Sequence, residues 1–162
     1  MNGDISNYFS KDDIRLRSIV DEDVDELVVI INEAYSYQDE AKGETRTNPE
    51  HLRKRIAEAD FYTMTHDNKV IGCVYLEPKD SALHFGLLTL TPEYRGKGIA
   101  QKVMTAIDQY AISNNFTTIE LDYMSLAPWL KNYYENYGFK ETGQVVKWGK
   151  IDLIHMSKPV NA

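Results

Sequence analysis

"LLTLTPEYRGKGIAQKVM", residues 87–104, decides how the rest of the chain is read. It starts as an apolar run and passes through Thr91-Pro92-Glu93-Tyr94. It then sets Gly96 and Gly98 among Arg95, Lys97 and Lys102, and ends with Ile99, Val103 and Met104 at helical spacing. Strand, glycine loop and helix in that order make an anion site. Small residues let main-chain N–H groups approach a phosphate closely. The helix that follows presents unpaired N–H groups and the positive end of its dipole.

Three phosphate loops compete for this stretch. A P-loop needs four residues between its glycines and then Lys-Ser/Thr. Here Gly96-Lys97 runs into Gly98 with no hydroxyl after it, which rejects that reading. The dinucleotide fingerprint G-x-G-x-x-G is matched by Gly96 and Gly98, but Gln101 takes the third place. Glu120 or Asp122, near the end of the next strand, would supply its acidic partner. Against it, "TPEYR" separates loop from strand, and the strands upstream read as antiparallel, whereas the fingerprint belongs to a parallel βαβ unit. The third pattern, R-x-x-G-x-A, is met by Arg95, Gly98 and Ala100.

Outward from the loop, "IRLRSI" (14–19) alternates as a strand, and Val24, Leu27, Val28, Ile31 and Tyr35 follow at helical spacing behind three acids. Residues 36–51 are polar, contain Gly43 and Pro49, and read as a loop leading to a short helix over 50–59. Two apolar strands flank the turn "HDNK", and a third covers 82–90. After the helix over 98–112, "TTIELDYM" alternates as a strand. A helix starts near Pro128 and stops at Gly138, and "KWGKIDLIHMSK" closes the chain as one last strand. Three strands in succession are antiparallel, while the crossover through the 98–112 helix is long enough for a parallel pair. The expected class is α/β (α+β): a mixed sheet with helices, one domain over 1–162, with 1–12 as a polar arm.

Composition narrows the partners. With 162 residues, a core of useful size fits in one domain. A net charge of −7 argues against general nucleic-acid binding, which needs a basic surface. The single cysteine, Cys73, rules out an intrachain disulfide and fits a small core residue. No apolar run reaches the roughly 18 residues of a membrane span. The first residues lack a basic region followed by an apolar stretch, so no signal peptide and a cytoplasmic location are expected. His51, His66 and His155 show no metal-ligand spacing.

A second motif adds chemistry. "NYYENYGFKETG" (132–143) contains Tyr134-Glu135 and Gly138-Phe139. With Arg95-x-x-Gly98-x-Ala100 upstream, the chain resembles the GCN5-related N-acetyltransferase (GNAT) superfamily, whose motifs are [Q/R]-x-x-G-x-[G/A] and Tyr-Glu-x-x-Gly-Phe. The resemblance implies a central, mostly antiparallel sheet of about six to seven strands, flanked by about four helices and splayed at the cofactor site. It implies acetyl-coenzyme A as donor, a primary amine as acceptor attacking the thioester directly, and no metal. It also makes a homodimer an expectation. Tyr134 is the implied general acid. Leu88, Thr89 and Leu90 are implied to pair with the pantetheine arm, a free N–H near Leu90 to polarise the thioester carbonyl, and Arg95, Gly96, Lys97, Gly98, Ile99 and Ala100 to hold the pyrophosphate. Ala127 stands where many members carry a cofactor-contacting asparagine, so that contact is expected to be absent or rearranged.

The superfamily has no fixed base. Glu120 and Asp122 share one face of their strand, and His84 lies on the strand leading to the loop; Glu120 and His84 are the candidates. The acceptor is expected near 34–48, where Asp39, Glu40 and Glu44 would favour a cationic amine. Two rival functions remain open at this point: a module that holds coenzyme A or another nucleotide without turnover, and a dinucleotide-dependent oxidoreductase.

Overall fold

A computed structural model describes residues 4–160. The first strand, β1 (Ile14–Ser18), leads through a helical turn at Asp21–Asp23 into α1 (Val24–Ala34). Two short helices follow, α2 (Asp39–Lys42) and α3 (Pro49–Ile56). Asn48 caps α3 by accepting the His51 N–H at 2.8 Å, and Pro49 takes the first position, where no N–H is missed. Then come β2 (Asp60–His66), β3 (Lys69–Lys79) and β4 (Ala82–Leu90). Asp67 and Asn68, at φ 51° and 65°, make the tight turn between β2 and β3. The chain continues as α4 (Ile99–Ser113), β5 (Thr118–Met124), α5 (Trp129–Glu135), β6 (Lys140–Trp148) and β7 (Ile151–Pro159).

The seven strands form one sheet in the order β1-β2-β3-β4-β5-β7-β6. Only β4 and β5 run parallel; every other neighbouring pair is antiparallel. Alternation along the strands sorts side chains to two sides. Tyr62, Met64, Val74 and Phe85 join Val103 and Ile107 of α4 in the larger core, while Phe61 and Cys73 join Leu27 and Ile31 of α1 and Leu52 of α3. Burial pushes the Cys73 thiol up to about 12, as expected of a packed residue rather than a nucleophile.

Three segments differ from the sequence reading. The closing segment is a hairpin rather than one strand: β6 precedes β7, and the chain reverses at Gly149 (φ 61°). β6 is an edge strand exposed from Lys140 to Lys147, so it carries no inward-outward alternation to read. The loop after α1 is partly helical, because Asn32 fixes it from both sides. Asn32 donates to the Thr47 carbonyl at 3.0 Å and accepts the Thr47 N–H at 2.8 Å, and Gln38 and Thr47 are buried. Finally, the residues read as an arm contain a helical turn at Ile5–Tyr8 whose Ile5 is wholly buried in the larger core. Residues 1–3 of that arm lie outside the described residues.

Candidate active site

The site begins where the parallel pair fails. β4 and β5 pair at Ala82↔Thr118, Leu83↔Ile119 and His84↔Glu120 and no further, though both strands continue. The cause lies in β4. Its register with β3 shifts between Cys73 and Tyr75, and Leu87 takes φ 49°, a left-handed conformation uncommon for a residue with a side chain. The extra residue turns β4 away from β5. Two hydrogen bonds hold the bulge: the Leu87 carbonyl accepts from Thr89 Oγ1 at 2.9 Å and from the Cys73 thiol at 3.3 Å.

Neighbouring cavities that share Leu88, Leu130 and Tyr134 in their walls occupy the opening. An outer groove of ≈ 380 Å³ runs between the end of β4, the glycine loop and α5, lined by Leu88, Leu90, Gly96, Ala100, Trp129 and Tyr134 among others. An inner pocket of ≈ 130 Å³ lies deeper, with Tyr35, Arg46, Tyr75, His84 and Asp122 in its wall. Leu88 and Tyr134 line both cavities.

The glycine loop leaves its main chain open to close approach. Gly96 and Gly98 adopt φ 73° and 83°, a region where a Cβ is strained. The first intrahelical bond of α4 runs from the Lys102 N–H to the Gly98 carbonyl at 3.2 Å. The N–H groups of Ile99, Ala100 and Gln101 therefore lack intrahelical acceptors. The Ile99 side chain is buried in the core, so only its main chain can serve a ligand. Of the cations expected to add charge here, Arg95 lines the outer groove with its side chain already bonded within the protein. Arg95 donates from Nε to the Leu90 carbonyl at 3.0 Å and pairs with Glu33 of α1 at 2.7 Å. Lys97 lies over the Tyr94 ring at 5.7 Å. Thr89 is buried, with its hydroxyl turned to the bulge.

Tyr134 sits in the last turn of α5. Its carbonyl accepts the N–H groups of Tyr137 at 2.9 Å and Phe139 at 3.2 Å, and Gly138 (φ 95°) lets the chain reverse so that Phe139 packs beneath. The Tyr134 ring meets Phe85 and Phe139 edge-on, with centroids 6.1 and 5.9 Å away. Burial, reinforced by the neighbouring phenols of Tyr35 and Tyr133, pushes its hydroxyl well above the ordinary tyrosine value. Tyr134 therefore keeps its proton throughout the physiological range. Ala127 is buried in the turn before α5 and offers no side-chain contact to the groove.

Of the two base candidates, only His84 reaches the pocket. It is 5% exposed and stacks on Tyr75. Its Nδ1 has no hydrogen-bond partner among the described residues, with Glu120 Oε1 at 3.6 Å; its Nε2 stands 3.8 Å from Asp122 Oδ2. Burial, then Lys79, lower its pKa, and the carboxylates of Asp122, Glu120 and Glu77 pull the other way. The net result is an imidazole that stays neutral at pH 7. Glu120 stands behind it, 3.0 Å from His155 Nε2, and takes no part in the pocket wall.

Sequence reasoning placed Tyr35, Tyr37 and Arg46 within the segment 34–48, without a pocket role for any of them, and missed Trp129 as a groove wall. The segment 34–48 was expected near the acceptor, but for its acids. The pocket takes the aromatic rings and the arginine instead, and Asp39, Glu40 and Glu44 do not line it. Among the described residues no helix is long and apolar enough to cross a membrane.

An α/β domain with one splayed parallel pair, a glycine loop heading the crossover helix and a half-buried tyrosine at the junction defines a class of acyl-transfer folds. Residues 31–160 match the acetyltransferase (GNAT) domain, and the chain belongs to that family. It is 29% identical over 103 residues to human N-acetyltransferase 8B, covering 59% of this chain and 45% of that protein. It is 28% identical over 87 residues to N-acetylaspartate synthetase of Xenopus tropicalis, covering 52% of this chain and 32% of that protein. The chain thus spans about half or less of the length of these curated relatives. The fold is similar to that of Ard1 from Thermoplasma volcanium, with TM-score 0.77 and 14% identity over 93% of this chain and 99% of that one. It is also similar to PaiA N-acetyltransferase from Thermoplasma acidophilum in complex with coenzyme A, with TM-score 0.70 and 17% identity over 90% and 98% of the two chains.

Proposed function

We propose that the chain is a single-domain N-acetyltransferase that moves the acetyl group of acetyl-coenzyme A to a primary amine, with Tyr134 assisting the leaving sulfur and His84 accepting the proton of the amine. The observation that carries this reading is the end of β4–β5 pairing at His84↔Glu120, which opens a groove and a pocket sharing Leu88 and Tyr134. The residues present suit the donor. The glycine loop and the α4 N-terminus offer unpaired N–H groups to a pyrophosphate. Leu88, Leu90 and Trp129 offer an apolar wall to a slender arm. Acetyl-coenzyme A supplies an activated thioester when bound.

An acceptor ammonium loses one proton, by way of neutral His84, to solvent. Its nitrogen then bonds the acetyl carbon as the carbon–sulfur bond breaks, and loses a second proton. The departing thiolate gains one. The net release is one proton per amide formed. Full transfer from Tyr134 to a thiolate is uphill, since a phenol near 10 is already weaker than a thiol near 8.5, and burial widens the gap. Tyr134 therefore acts first by hydrogen-bonding the sulfur as charge develops there.

Thermal unfolding with and without ligands tests donor choice, because a ligand that binds the native state raises the melting temperature. Acetyl-coenzyme A and coenzyme A are expected to raise it, and NAD or NADH to leave it unchanged. Stabilisation by a nicotinamide dinucleotide alone would overturn the reading.

A further inference from the structure

Arg46 is the cation that the inner pocket leaves without a countercharge. Its guanidinium lies over two rings, 5.6 Å from the Tyr35 centroid and 5.4 Å from that of Trp148 at the end of β6. Its Nε is buried and has no hydrogen-bond partner among the described residues, and no carboxylate among them pairs with Arg46. The nearest other cation in this loop, Lys42, is engaged by the carbonyls of Thr45 and Arg46 at 3.3 and 2.9 Å. A guanidinium is always charged and carries donors in a rigid fork that matches a carboxylate. A buried donor left unmade in an arginine set over two rings is a feature that a ligand would complete.

The rest of the wall has the opposite character. Asp122 and neutral His84 stand 3.8 Å apart in the same pocket, where a cationic nitrogen is favoured. Leu88 and Tyr134 mark the side that opens to the donor groove. The pocket thus offers a site for an anion and a site for an amine. Its ≈ 130 Å³ is about the liquid volume of four waters, which suits a small free molecule.

We propose that the acceptor is a small amine that also carries a carboxylate, of the amino-acid class, with Arg46 holding the carboxylate while Asp122 and His84 face the amine. This rests on the acetyl-transfer reading above. It replaces the polycationic acceptors that an acidic chain would favour, since a second ammonium would meet Arg46.

Matched sets test it: L-α-amino acids, their α-amides and the corresponding decarboxylated amines. Each is titrated calorimetrically into the protein holding coenzyme A, and each is assayed for thiol release from acetyl-coenzyme A. The free acid is expected to bind about tenfold or more tightly than its two partners, as a charge-assisted forked contact would give. Arg46→Gln should erase that preference, and Arg46→Lys should restore only part of it, because a point charge lacks the fork. If Arg46→Gln does not fold, as its melting temperature would reveal, the wild-type comparison within each set decides alone. Equal binding of acids, amides and decarboxylated amines, or no binding by any of them, would overturn the proposal. Thiol release with amines that shows no carboxylate preference would sink this inference and leave acetyl transfer standing. Carboxylate-dependent binding without thiol release would do the reverse.

Discussion

At the scale of single residues, His84 makes the sharpest prediction. Burial holds its pKa below the ordinary value of 6.5, against the pull of Glu77, Glu120 and Asp122. The base form is the neutral ring, present above that lowered value. The rate kcat/KM should therefore hold as pH falls past 6.5 and decline only below it. His84→Gln should lower kcat/KM by about a hundredfold, a usual size for a general base, and remove that acid limb. The sign for stability runs the same way. The unfolded chain binds the proton more readily, so stability is full above 6.5 and falls on acidification. Melting curves across the same pH range separate the two effects. An unchanged acid limb in the variant would assign the proton to another group, with Asp122 next in line.

Residues also mark where sequence reading stops. Gly98 and Gly138 were legible because each answers a local demand, a glycine turn or a helix end, whereas a role for Tyr134 came only as an implication of the family resemblance. Arg46 was not legible. It acquires its meaning from Tyr35 and Trp148, about a hundred residues apart in the chain. No local pattern announces such a contact. The same holds for Arg95, whose motif position invited a phosphate contact and whose side chain ties β4 to α1 through Glu33.

At the scale of elements, one carboxylate ties the start of α1 to two strands of the sheet. Asp23 accepts from Arg17 of β1 at 2.7 and 2.9 Å, from Thr63 of β2 at 2.9 Å and from the Val20 N–H at 3.0 Å. Burial alone would raise its pKa, and these hydrogen bonds, Arg17's foremost, more than reverse that and hold it below the usual carboxylate range. Asp23→Ala should cost about 2–4 kcal/mol, because Thr63 and the Val20 N–H lose their acceptor and Arg17 its partner. The carboxylate's contribution is present above its unfolded value near 3.9 and fades as pH falls through the lower folded one. Chemical denaturation at pH 7 and again at pH 3 checks both parts. A loss equal at the two pH values would contradict the assignment. Because α1 ends at Tyr35, a loosened α1 should also weaken acceptor binding before donor binding.

The elements read from periodicity were those with one buried face: β4, bounded as expected at Ala82–Leu90, and α4, whose Ile99, Val103, Met104 and Ile107 point inward. β6 escaped because both its faces meet solvent, and an edge strand without alternation resembles a polar loop. The splay of β4 from β5 came as an implication of family resemblance. Its physical cause, the bulge at Leu87, carries no mark in "FGLLTL" that distinguishes it from a regular strand.

At the scale of the whole molecule, a chain of net charge −7 places one arginine, Arg46, in its inner pocket and another, Arg95, at its outer groove. The bulk acidity thus describes the surface, and the recognition chemistry is set locally. The central claim is that groove and pocket meet at Tyr134 to perform acetyl transfer. Its most direct test is free-thiol release from acetyl-coenzyme A by wild type and Tyr134→Phe, with amide formation followed in parallel. Thiol and amide should appear in equal amounts and only when an amine is present. Tyr134→Phe should lower kcat by about ten- to a hundredfold, with acetyl-coenzyme A affinity unchanged within about twofold, since the motif's main chain and ring packing are retained. Equal turnover by the variant, or acetyl-coenzyme A binding with no amine-dependent thiol release from wild type, would contradict it.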